Sequence, residues 1–184
     1  MNDTSAQARP RPGDIGLTSI DGEVGRLIRL GQWLNGDGFS RYEHAFVVVS
    51  ELGGYPPHIL GLIEAEPGGA RCSLLSEYDD RDVVYLRCPD GHRNAVAAAA
   101  IGLLGTPYSF ADYASLALHR LHIPAPHLRA YIRDSGHQIC SQLADCAAFR
   151  GGWHLFDDRR WEADVTPGDL YQLYLRQVFE SGVS

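Results

Sequence analysis

Apolar and polar positions along the chain fall into two regimes. In the first, short runs repeat with a period of two, the period of a half-buried strand. Residues 41–50 are the clearest case: Tyr42, His44, Phe46 and Val48 share one face, and Ala45, Val47 and Val49 the other. Residues 14–20 predict a short first strand. After a turn at Gly53-Gly54 and Pro56-Pro57, residues 59–65 predict a hairpin partner for 41–50. Pro67-Gly68-Gly69 closes that strand, and residues 83–87 predict one more. Within this regime residues 23–34 carry Val24, Leu27, Ile28 and Trp33 at near-helical spacing and end at Asn35-Gly36.

From His92 onward the pattern is helical. Residues 94–104 are alanine-rich and stop at Gly105 and Pro107. Residues 110–121 offer Tyr113, Leu116, Ala117 and Leu121 as a buried stripe, and residues 128–133 predict a short helix after the Pro124 and Pro126 break. Residues 140–150 predict a further helix capped by Gly151-Gly152. Thr166-Pro167-Gly168-Asp169 opens a last one, with Leu170, Leu173, Tyr174 and Val178 as its apolar side. Strands early and helices after them predict an α+β fold. No repeat interrupts the chain, so a single domain is expected over residues 13–184, behind a polar lead-in over residues 1–12 read as disordered.

Composition narrows the chemistry. The chain has 184 residues, 45% of them apolar, which suits one soluble domain with its own core. All 16 basic residues are arginine, so mechanisms that need a lysine (a Walker-type phosphate lysine, a Schiff base, a Ser-Lys dyad) are excluded. A net charge of −7 argues against nucleic acid or an anionic membrane as partner. Cys72, Cys88, Cys140 and Cys146 show no C-x-x-C spacing, so neither a zinc ribbon nor a disulfide framework is expected. The lead-in lacks the apolar core of a signal peptide, and the longest apolar run, residues 95–104, is too short to cross a bilayer. The expectation is a chain that is cytoplasmic as synthesised, with no transmembrane segment and no cofactor.

The candidate chemistry centres on Cys140. A cysteine opening a helix meets unpaired N–H groups and the positive end of the dipole, which favour its thiolate; the bland alternative is a buried structural cysteine. A nucleophilic cysteine needs a base and a group to orient that base. His44 is the candidate base, since the apolar partners on its strand face turn it toward the core. A hydrogen-bonded core histidine would look the same. Glu64 shares a face with Leu60 and Leu62, and a carboxylate there must be paired. On a neighbouring strand it could reach the far nitrogen of His44, with Glu66 as the fallback. His119, His122, His127 and His137, with Asp112 or Asp134, could be a metal set, but no Glu completes a metalloprotease arrangement, and a histidine-rich surface helix is the simpler reading. No metal is expected. Asp157-Asp158-Arg159-Arg160 reads as a solvated loop.

The order of these features resembles the circularly permuted branch of the NlpC-type papain-like cysteine hydrolases. Phe39-Ser40-Arg41-Tyr42-Glu43-His44-Ala45 is similar to the family's histidine strand, and Leu62-Ile63-Glu64-Ala65 to the strand of its third polar residue. Both precede Gly105-Thr106-Pro107-Tyr108-Ser109 and Cys140-Ser141-Gln142-Leu143, whereas the unpermuted enzymes begin with the segments that resemble these two. The likeness extends to Gly13-Asp14-Ile15 and Thr166-Pro167-Gly168-Asp169-Leu170. The resemblance implies Cys140 as nucleophile, His44 as base and then acid, Glu64 as orienting residue, and Tyr108 beside the cysteine, where its hydroxyl helps hold the oxyanion. It implies a papain-like core with an antiparallel sheet packed on helices, and a peptide or acyl substrate. Bacterial cell-wall peptide comes first, in a bacterial or phage (even virion-associated) protein.

Two departures are visible. Ile139 stands where the unpermuted enzymes have Asp, and Gln142 where permuted bacterial members have Glu. The Asn-Cys-Glu-His signature of the lecithin–retinol acyltransferase relatives is absent, which lowers lipid acyl transfer. Lipid or thioester acyl hydrolysis, and a non-catalytic binding module on the same fold, are the alternatives.

Overall fold

The computed structural model describes residues 9–19, 42–50, 59–66, 69–107, 140–157 and 165–182. The helices expected over 23–34, 110–121 and 128–133, and the turn at residues 53–57, lie outside them. Among the described residues, five strands form one antiparallel sheet: β1 (Ile15–Thr18), β2 (His44–Val49), β3 (Gly61–Glu66), β4 (Gly69–Leu74) and β5 (Val83–Leu86). Their spatial order is β4-β3-β2-β1-β5. A 3₁₀ turn, Leu75–Tyr78, follows β4 directly. The helices among the described residues are α1 (Arg93–Ile101), α2 (Cys140–Arg150) and α3 (Pro167–Ser181). The architecture is α+β, as the pattern predicts.

Alternation along the strands gives the sheet two buried faces. Ile15, Leu17, Ala45, Val47, Val49, Ile63, Val84 and Leu86 point toward the helices and build the main core with Val96, Ala100, Leu143, Ala144, Ala147 and Leu170. Phe46, Val48, Leu62 and Tyr78 form a second, smaller cluster on the other face. That face needs a glycine in β1: a Cβ on Gly16 would lie 2.2 Å from the Phe46 ring, which sits directly over the strand.

Helix ends follow local chemistry. In α3, Thr166 accepts from the Asp169 N–H while the Asp169 carboxylate accepts from the Thr166 N–H, a reciprocal capping box. In α2, the Gly152 N–H donates to Phe149 and the Trp153 N–H to Ala148, with Gly152 at φ 79°. That closure of a helix requires the left-handed conformation that glycine adopts freely.

At the far end of the sheet, Asp14 is fully buried and accepts from the Arg87 and Arg93 guanidiniums at 2.8 and 2.6 Å and from the Cys88 and Arg11 N–H groups. Residues 9–12 of the polar lead-in are thereby tied to the domain, through these bonds and an Arg11–Asp90 ion pair.

Four expectations change. The chain does not leave the sheet after Gly69: residues 69–74 pair along β3 as an extra edge strand. Tyr42 does not share the His44 face. It precedes β2 and packs with the helix-side core, its ring 4.9 Å from that of Tyr171. Val178 lies exposed, because α3 anchors to the sheet through Gln177, whose side chain bonds both the N–H and the carbonyl of Arg87. One residue further turns the helix by about 100° and carries Val178 away from that contact. The alanine-rich helix also stops three residues early, at Ile101.

Candidate functional site

The register of β2 and β3 decides which carboxylate meets the histidine. Phe46 stands opposite Glu64, so Glu64 and His44 share the face of the second cluster. His44 Nε2 lies 2.7 Å from Glu64 Oε2, and both side chains are buried. Because the carboxylate only accepts, Nε2 carries the proton there, which leaves Nδ1 for another partner. Cys140 is the other side chain that acts on the ring. Its thiol hydrogen-bonds to the imidazole and lies 3.9 Å from the carbonyl oxygen of Glu43, the residue before β2. Cys140 is the first residue of α2, so Cys140, His44 and Glu64 come together at the end of the sheet where β2 starts.

Glu66, the fallback, does not contact the imidazole in this way. It pairs with Arg71, whose guanidinium bridges Glu64 and Glu66 at 3.0 Å to each. Tyr108, the four histidines considered as metal ligands, Asp112 and Asp134 lie outside the described residues. The donor atoms of His44, Glu64 and Glu66 lie within 4.8 Å of one another, a grouping able to hold a cation, and the Arg71 guanidinium bridges two of the three.

Three side chains around Glu64 were not singled out by the sequence pattern. Ser73 Oγ donates to Oε1 at 2.7 Å, Tyr78 OH donates to Oε2 at 2.6 Å, and Arg71 Nε donates to Oε1 at 3.1 Å. Arg71 and Ser73 come from β4, where alternation turns both toward the Glu64 face, and Arg71 stands directly opposite Glu64. Tyr78 comes from the 3₁₀ turn, its ring parallel to the imidazole at 6.3 Å and against Phe46 at 4.9 Å. The signal available in the sequence was parity: continuing the β3 hairpin past Gly69 puts polar Arg71 and Ser73 on one face.

Electrostatics follow from these partners. Burial works against a charged His44, but hydrogen bonds to Cys140 and Glu64 and the charges of both raise its pKa from 6.5 to about 10. Burial equally opposes an ionised Glu64; His44, then the Tyr78 and Ser73 hydroxyls, outweigh it and bring the carboxyl down to about 2. Burial and the adjacent Glu64 anion push the Tyr78 phenol up, so it remains a donor. Cys88, elsewhere in the core, is pushed up to about 11, chiefly by burial, as suits an inert structural thiol.

No protein-family model matches the chain, and neither the curated proteins nor the solved structures give a significant match. Among the described residues, no helix is long and apolar enough to cross a membrane.

Proposed function

We propose that the chain is a cysteine hydrolase that cleaves an amide or peptide bond through a thioester intermediate. One observation carries this reading. A single buried imidazole is held at Nε2 by a buried carboxylate and faces, on its other side, a thiol at the first residue of a helix. Each part has a chemical reason. The carboxylate fixes the tautomer and stabilises the imidazolium. The imidazolium and the helix terminus stabilise the thiolate, without which only a few per cent of a free thiol is ionised at pH 7.

In the reaction, the Cys140 sulfur attacks the carbonyl carbon and the C–N bond breaks as His44 passes its proton to the leaving amine. Water then gives a proton back to His44 and attacks the thioester, releasing the carboxylic acid product and the thiolate. The Cys140 N–H, at the start of α2, is a candidate donor to the oxyanion, and by resemblance Tyr108 is the second. A bacterial cell-wall peptide is the first substrate to try. All the surface cations are arginines, side chains suited to bidentate pairing with the carboxylates of such peptides.

The test is selective alkylation of Cys140 by a small electrophile such as iodoacetamide, read by mass spectrometry across pH, together with amine release from cell-wall peptides. The expected profile has its midpoint well below the ordinary thiol value of about 8.5, and Cys140→Ala removes turnover. Labelling of Cys140 no faster than of half-buried Cys72, or turnover retained in Cys140→Ala, overturns the reading.

A further inference from the structure

We propose that Ser73 and Tyr78 are positioning residues of the thiol site: their hydroxyls clamp the Glu64 carboxylate, one on each oxygen, and keep it an anion fixed against His44. This rests on the reading of Cys140 as nucleophile and His44 as its base.

The geometry separates these two residues from the third donor. Ser73 and Tyr78 are buried and bond opposite oxygens of the carboxylate, at 2.7 Å to Oε1 and 2.6 Å to Oε2. With both oxygens held, the carboxylate cannot rotate Oε2 away from His44 Nε2. The Arg71 side chain is half exposed and shared with Glu66, so it contributes charge but little constraint on orientation. Tyr78 touches both members of the pair, since its ring also lies parallel to the imidazole.

The chemical consequence concerns the proton between His44 and Glu64. A carboxylate accepting from two hydroxyls and an arginine is a weaker base than one bonded to His44 alone. That proton therefore stays on Nε2, which leaves the opposite ring nitrogen to hold the second proton, the one that faces the Cys140 thiolate and passes to the leaving amine. Arg71, Ser73 and Tyr78 lie within one short stretch, β4 and its 3₁₀ turn, so among the described residues this edge segment supplies every donor to Glu64 other than His44 itself.

The experiment uses Tyr78→Phe, Ser73→Ala and the double variant, with Ser73→Thr as the conservative control. Tyr78→Phe keeps the ring against His44 and Phe46, so packing is preserved; near-ultraviolet circular dichroism confirms folding, and either single variant suffices. Two readouts are taken: the titration midpoint of the Glu64 side-chain carboxyl by ¹³C NMR, and the pH profile of Cys140 alkylation by iodoacetamide. Each single loss of a hydroxyl raises the Glu64 midpoint by about one pH unit, the value of one hydrogen bond to a charged group, and the double variant raises it further. The acid limb of Cys140 alkylation moves up with it, slowing labelling on that limb up to about tenfold, while Ser73→Thr behaves as wild type. A Glu64 midpoint that does not move overturns the proposal, as does a midpoint that moves while the alkylation profile of folded variants stays put. Wild-type protein without selective alkylation at low pH overturns the hydrolase reading, and this assignment with it.

Discussion

The sharpest single perturbation is Glu64→Gln, which keeps the shape of the side chain and removes its charge. Both oxygens of Glu64 accept, Oε1 from Arg71 and Ser73 and Oε2 from His44 and Tyr78, so an amide placed there must turn its NH₂ toward donors. Facing His44, it would force Nε2 to lose its proton. Facing Ser73 and Arg71, it needs only a hydroxyl rotation and the swing of a half-exposed guanidinium toward Glu66, so that orientation is favoured.

What is lost is the preference of the site for a negative charge. The fall of the Glu64 pKa from 4.5 to about 2 corresponds to about 3 kcal/mol at neutral pH. The sign is fixed by linkage: a depressed carboxyl pKa contributes stability that is complete above the unfolded value and is lost as pH falls through the folded one. The gap between wild type and Glu64→Gln is therefore about 3 kcal/mol at pH 7 and shrinks to about 1 kcal/mol at pH 3. Urea unfolding followed by circular dichroism at these two pH values measures both gaps. An equal gap at pH 7 and pH 3 refutes the reasoning, because the loss would then come from shape or packing rather than from charge.

Two further outcomes follow from the packing. Gly16→Ala sets a methyl against the Phe46 ring, and a destabilisation of about 1–3 kcal/mol is expected in thermal unfolding, largely relieved when Phe46→Leu is added and the clash is removed. Asp14→Ala leaves the Cys88 N–H without its acceptor and takes from the buried Arg93 guanidinium the inner of its two carboxylates, Asp90 being exposed. A loss of about 3–5 kcal/mol by urea unfolding is expected, with the Cys140 alkylation profile of the folded fraction unchanged, since the two clusters share no residue.

Much of the frame was legible because its signals are local. The alternation over residues 41–50, the cysteine opening 140–150, and the Thr166-Pro167 start of the last helix each depend on neighbours in sequence, and the structure has an element at each. The pairing of His44 with Glu64 was legible for a different reason: two polar side chains on core faces of adjacent strands have few ways to be satisfied except by each other. The missing parts are those set by distant contacts. Gly69-Ala70-Arg71-Cys72-Ser73-Leu74 has no β-branched residue and weak strand propensity; it becomes a strand because β3 offers it an edge. Tyr78 follows Ser76-Glu77 and precedes Asp79-Asp80, a composition that reads as surface, and only the buried Glu64 carboxylate draws its hydroxyl inward. The side of Tyr42 depended on Tyr171, more than a hundred residues away in sequence.

The position of the thiol and the imidazole relative to the sheet has a dynamic consequence. His44 belongs with the smaller cluster on one face, whereas Cys140 belongs with the helix-side core on the other, and they meet only at the rim where β2 begins. On the proposed hydrolase reading, each half needs the other. The pair joins groups from the two faces of the sheet, so undocking of the first turn of α2 is expected to slow alkylation of Cys140 while leaving the sheet amides protected from hydrogen exchange. Reactivity at Cys140 is then a gauge of local opening, able to register loosening of the helix long before global unfolding begins.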